Sequence, residues 1–247
     1  MLITVRKLRD DTHHFFYKQI GPIFFISISV TLINMLVDMF IKPDRYILSI
    51  IENNKLINAS SLLELINNMN LEEKYELFKY STLKTIESLM SKTMLLGSVI
   101  ILISVLSKSE KKTIISSILS FFSFIPSLFI LNFLTAFVVQ IGYMFLIIPG
   151  ILLSITLSLS PIILSFKKYG IIDSMRISVY ISWKYINIIG YSVLFWMCSK
   201  FILTILLDQI YFINKNILFL ISNVTINILF SILIIYLFRF YMIFLRS

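Results

Sequence analysis

Residues 144–166 read MFLIIPGILLSITLSLSPIILSF, twenty-three residues without a single charge. A helix of that length is about 35 Å long, enough to cross the roughly 30 Å hydrocarbon layer of a bilayer. Five more apolar stretches accompany it, at about Ile20–Ile41, Thr93–Ser107, Ile118–Val139, Ile188–Ile210 and Ile217–Phe238. Together they take up most of the 247 residues; 58 % of the chain is hydrophobic and 14 % charged, and the mean hydropathy is +0.91. A soluble domain of this size cannot hide so much apolar surface, so the solvent for most of the chain is lipid. The expected fold is all-α: a polytopic membrane helix bundle of six transmembrane helices plus amphipathic interfacial helices, in one integral membrane domain over 1–247.

The first span follows a basic segment carrying Arg6, Lys7, Arg9 and Lys18. It is too long for a signal-peptide core and no small-residue cleavage site follows, so it reads as an uncleaved membrane helix. A lone cysteine, Cys198, excludes a disulfide framework. Alanine occurs only at Ala59 and Ala136 while Ile, Phe, Asn, Ser and Lys abound. This looks like AT-biased coding, and it predicts serine at many small-residue positions.

The net charge of +9 does not point to nucleic acid, because the basic residues sit in short loops, where they mark the cytoplasmic side. The N-terminus has Arg6, Lys7, Arg9 and Lys18, the loop after span 2 has Lys108, Lys111 and Lys112, and the segment after span 4 has Lys167, Lys168, Arg176 and Lys184. The C-terminal tail adds Arg239 and Arg246. On the other side, the turn 140–143 has none and the loop before span 6 has only Lys215. Both termini are expected in the cytoplasm, with the long polar segment 42–92 in the periplasm of a bacterial inner-membrane protein. Long loops translocate with little regard to charge.

Span 2 is short alone. Asn70, followed by Leu71, Glu72 and Glu73, reads as an N-cap with acids in the first turn. Apolar residues then recur at Leu71, Tyr75, Phe78, Ile86 and Leu89, so one helix from Leu71 to Ser107 is expected, longer than a bilayer is thick. Ser61 to Glu64 matches a capping box for an earlier short helix. Asp173 to Tyr185 reads as an interfacial helix capped by Asp173 or Ser174, with Arg176, Trp183 and Lys184 as contacts to anionic lipid head groups at the cytoplasmic face; a plain cytoplasmic loop is the alternative.

The runs PGILLSITLSLSPIILSF (149–166) and DSMRISVYISWKY (173–185), the ending IYLFRFYMIFL (235–245) and the segment QIGYMFLIIPG (140–150) resemble the YciC-like family of bacterial inner-membrane proteins. The resemblance covers nearly the whole chain. It implies a multi-pass inner-membrane protein of a Gram-negative bacterium, and it brings no catalytic residues.

No histidine lies in a span and no G-x-S-x-G occurs, so the elements of intramembrane serine proteolysis are missing. His13 and His14 are adjacent and diverge on any helix, which does not suit zinc. With six glycines there is no phosphate-cradling loop. No cofactor or metal is expected, and no enzymatic activity.

The polar residues inside the spans are the candidates for function. Ser27, Thr31, Asn34 and Asp38 share one face of span 1; Trp196, Lys200, Thr204 and Asp208 recur every fourth residue in span 5; Asn223, Asn227 and Ser231 do so in span 6. Asp38, Lys200, Asp208, Asn223 and Asn227 form the candidate intramembrane polar site, with Asp38 and Lys200 as a prospective ion pair. Helix packing through hydrogen bonds is the favoured reading, a solute path the second, and lipid or partner contact the third. Pro126, Pro149 with Gly150, and Pro161 interrupt spans 3 and 4, either as structural kinks or half-helices or as the broken helices of a transport site. The expected function is non-enzymatic, in envelope upkeep or a complex with a membrane-protein partner; the alternative is a small secondary transporter using Lys200 and Asp38.

Overall fold

The computed structural model describes residues 5–41, 69–107, 114–209 and 214–246, without the side chains of 5, 107, 114–122, 208, 215 and 216. The capping box at Ser61–Glu64 lies outside the described residues. Within them every regular element is a helix: α1 Val5–Lys18, α2 Ile20–Phe40, α3 Leu71–Ser107, α4 Ile114–Phe145, α5 Ile147–Leu157, α6 Ser160–Ser165, α7 Ile171–Lys184, α8 Ile186–Asp208 and α9 Lys215–Phe244. Six stretches are long and apolar enough to cross a membrane: Ile20–Phe40, Leu71–Leu106, Ser123–Phe145, Ile147–Ser165, Ile186–Leu207 and Ile217–Phe244.

α3 forms as the cap predicts. The Asn70 N–H donates to the Glu73 carboxylate at 2.8 Å, and Lys74 N–H opens the helix on the Asn70 carbonyl. This is half of a capping box, and it satisfies a donor that the helix itself leaves free. The helix then runs unbroken for 37 residues. Its early apolar positions Leu71, Tyr75 and Phe78 are exposed, while Leu89 is buried.

The reversal between the third and fourth spans is not where the charge-free turn 140–143 suggested. α4 continues through those residues to Phe145, and the chain turns at Leu146, which is extended at φ −162°, ψ 158°. Gly142 alone costs a helix only about 1 kcal/mol. Pro149, however, cannot continue α4, because its ring meets the carbonyl of Phe145. It fits the first turn of α5, where an N–H has no partner anyway. Pro161 stands likewise at the start of α6. Pro126 lies inside α4.

The chain divides into two compact units, 1–31 with 92–247, and 32–91. The larger unit holds the core. Leu95, Val99 and Ile103 of α3, Leu128 and Leu131 of α4, Leu159, Ile162 and Ile163 around α6, Ile189 of α8, and Ile235 and Phe240 of α9 are fully buried or nearly so. α6 is buried all round, from Ser160 to Leu164. It ends at Lys167, whose φ of 56° is left-handed.

α1 is a docked amphipathic helix, where the sequence suggested only a basic segment. Leu8, Thr12 and Phe15 are buried, four and three residues apart on one face. They lie against α9, and the Arg239 guanidinium stands 5.0 Å from the Phe15 ring centre, within cation–π range.

α7 begins one turn earlier than the cap reading placed it. Gly170 is the N-cap, Asp173 falls in the first turn, where its charge suits the helix dipole, and Ser174 Oγ donates to the Gly170 carbonyl at 2.7 Å. Ser174, Ser178 and Ser182 are buried against the bundle. Small side chains let helices approach closely in membranes, and here serine fills that role.

Candidate functional site

The polar residues of the spans were singled out as stripes; the structure supplies partners for most of them. In the larger unit, α2 and α9 are joined through Asn227, whose Nδ2 donates to Thr31 Oγ1 at 3.0 Å. The Thr31 hydroxyl in turn donates to the Ser27 carbonyl at 2.8 Å. One turn beyond, Ser231 Oγ donates to the Asn227 carbonyl at 2.8 Å. Asn223 is different: it is half-buried, and its Nδ2 donates to the Phe219 carbonyl of its own helix. The stripe on α9 is thus one helix-joining amide and one amide turned back on its own backbone.

Two further links in this unit were not singled out in the sequence. Asn132 Nδ2 of α4 donates to Thr93 Oγ1 of α3 at 2.9 Å, and Ser178 Oγ of α7 donates to the Thr156 carbonyl of α5 at 2.7 Å. The signal for the first was available, since Asn132 is the sole asparagine in the charge-free run from Ile114 to Phe166.

The α8 stripe has another character. Trp196 packs on Phe230 of α9, ring centres 5.2 Å apart. Lys200 is exposed, with its ammonium 5.9 Å from the Trp196 ring centre, and Thr204 is bonded to the Lys200 carbonyl of its own helix. Asp208 closes α8, and its side chain lies outside the described residues.

In the smaller unit, α2 and α3 meet through two polar contacts two turns apart on α3. Asn34 Nδ2 donates to Ser91 Oγ at 2.7 Å. Asp38 forms a salt bridge with Lys84, and Lys84 Nζ also reaches Glu87 at 3.1 Å. The Glu87 side chain is only 9 % exposed. Asp38, for which the sequence suggested an ion pair, forms one with Lys84. Span counting placed Lys84 in the polar segment before span 2, but a single long α3 carries it to the level of Asp38.

The contacts foreseen for lipid are on the outer face of α7. Tyr180 and Trp183 are 69 % and 56 % exposed, and Arg176 and Lys184 are exposed beside them. Among the described residues no group of three histidine, cysteine or carboxylate side chains is placed to hold a metal.

Six apolar spans with polar groups bonded across helix interfaces define a multi-pass helical membrane protein. The chain belongs to the Uncharacterised protein family UPF0259, whose model matches residues 1–243, and this is the YciC-like family that the sequence resembles. It is 74 % identical over 247 residues, all of both chains, to a UPF0259 membrane protein of Buchnera aphidicola subsp. Acyrthosiphon pisum (strain 5A). It is 56 % identical over the same full length to that of Buchnera aphidicola subsp. Schizaphis graminum. A UPF0259 membrane protein of Yersinia pestis (strain Pestoides F) is 28 % identical over 246 residues, 98 % of this chain and 96 % of that one. No solved structure matches the chain.

Proposed function

We propose that this is a non-enzymatic protein of the bacterial inner membrane, with both termini in the cytoplasm, that serves envelope upkeep or a membrane complex. The observation that carries this reading is the use made of the intramembrane polar groups. Asn227 with Thr31, Asn132 with Thr93 and Asn34 with Ser91 join helix to helix, the role polar side chains commonly take between membrane helices. A solute path asks instead for polar groups facing a wet cavity. The basic, aromatic outer face of α7, with Arg176, Trp183 and Lys184, suits anionic head groups of the cytoplasmic leaflet, at about 1 kcal/mol per basic residue. The charge asymmetry of the short loops supports the orientation.

Crosslinking in the native membrane, followed by identification of the attached species, tests the reading. Recovery of a recurrent membrane-protein partner supports it. Loss of a specific solute uptake on Lys200→Met, in a chain that still folds, would replace it with the transporter reading. Reporter fusions after Ser107 and Ser247 are expected to report cytoplasm, and one near Asn58 periplasm.

A further inference from the structure

The hairpin between α4 and α5 ends on an apolar tip. Met144, Phe145, Leu146, Ile147 and Ile148 are consecutive, and each is 67–80 % exposed. No charged residue occurs from Ile114 to Phe166, so no charge in the hairpin holds its end in water. We infer that this tip is a lipid-contacting surface: the α4–α5 turn lies within the bilayer against acyl chains and does not surface on the far side.

Three observations carry this. The first is length. The returning arm Ile147–Ser165 has 19 residues, about 28 Å if straight at 1.5 Å per residue. It is broken at residues 158–159, which shortens it further. Lys167 and Lys168 follow immediately and are exposed. With those lysines at the head groups of one leaflet, the tip reaches no farther than the opposite edge of a hydrocarbon layer of roughly 30 Å.

The second is the backbone. Irregular backbone facing lipid is costly where its polar groups are left unbonded, and among the N–H groups of 145–150 only those of Ile147 and Ile148 lack a backbone partner. Leu146, the one extended residue of the turn, has both groups bonded: its N–H donates to the Gly142 carbonyl at 3.2 Å, and its carbonyl accepts from Gly150 N–H at 3.4 Å. Pro149 has no N–H to satisfy.

The third is how the two arms are closed. A Cβ on Gly142 would stand 2.7 Å from Leu153 Cδ1 and 3.0 Å from Gly150 Cα, and one on Gly150 would fall against the Tyr143 ring. The two glycines and the ring seal the hairpin just behind the tip, so the arms pack on each other while the tip faces outward.

The test uses single cysteines at Leu146, Ile148 and Lys168 in the full chain, with Cys198→Ser as background, in right-side-out and inside-out membrane vesicles. Leu146→Cys and Ile148→Cys should react with a membrane-impermeant maleimide at least tenfold more slowly than Lys168→Cys from whichever face reaches Lys168. They should react at the Lys168→Cys rate after the protein is unfolded in a denaturing detergent. A fluorophore attached at Leu146→Cys in purified, reconstituted protein should be quenched by lipids brominated on the acyl chain. Reaction from either face of intact vesicles overturns the inference. So does protection without quenching by brominated lipid, which would mean that a protein covers the tip. The detergent step shows that each variant carries a reactive thiol, so a slow rate is not read from a lost site.

Discussion

Asp38, near the end of α2, forms a salt bridge with Lys84 of α3, and Lys84 also reaches the nearly buried Glu87. The second polar contact of the same interface, Asn34 with Ser91, lies seven residues further along α3. A charge near lipid is expensive unless it is paired, and here each end of the pair lowers the cost of the other. The pairing predicts an asymmetry. Lys84→Met alone should destabilise the protein by about 1–3 kcal/mol, because it leaves two carboxylates without their cation. Lys84→Met combined with Asp38→Asn should cost less than the two single losses together. Unfolding in mixed micelles of increasing denaturing detergent measures this, and additive losses would show that the pair contributes nothing.

The two asparagines of α9 should part company. Asn227 bonds across to Thr31, whereas Asn223 bonds to its own helix. Asn227→Leu is expected to lose roughly 0.6–1.7 kcal/mol, the range for hydrogen bonds between membrane helices. Asn223→Leu is expected to stay within about 0.5 kcal/mol of the parent, because it removes no helix-joining contact. The same unfolding series compares them directly, and equal losses would remove the distinction.

Gly150→Ala puts a methyl group against the Tyr143 ring. Overpacking of this kind costs about 1–3 kcal/mol. Tyr143→Ala in the same chain removes the clashing ring, so the double variant should recover part of the loss caused by Gly150→Ala. Thermal unfolding of the four chains in detergent measures the coupling, and no recovery would mean that the alanine meets something other than the ring.

Lys167 ends α6 in the left-handed region, a conformation that costs an L-residue with a Cβ roughly 1–2 kcal/mol and a glycine little. Lys167→Gly is therefore expected to stabilise the protein, by up to about 1 kcal/mol after the extra chain entropy of glycine is subtracted. A fall in melting temperature would show that the lysine side chain contributes more than its backbone costs.

The apolar runs determined by themselves that the chain is an all-helical, multi-pass membrane protein, because the demand to satisfy backbone groups in lipid leaves a twenty-residue apolar segment little choice but a helix. The N-cap at Asn70 was likewise legible, since its signal is confined to four adjacent residues. So was the α7 helix, although its serine stripe showed only in packing which face turns inward. Partners were not legible. The stripes of α2 and α9 look alike in sequence, yet Asn227 reaches another helix and Asn223 does not, and only the register of α9 on α2 decides that. Asp38 pairs with Lys84 because α3 runs unbroken from Leu71 past the apolar span, which sets a lysine outside that span level with the end of α2. The reversal at Leu146 was also left to tertiary structure: a charge-free turn and a proline six to nine residues later both mark a break, and the close approach of Gly142 and Gly150 selects where the two arms close.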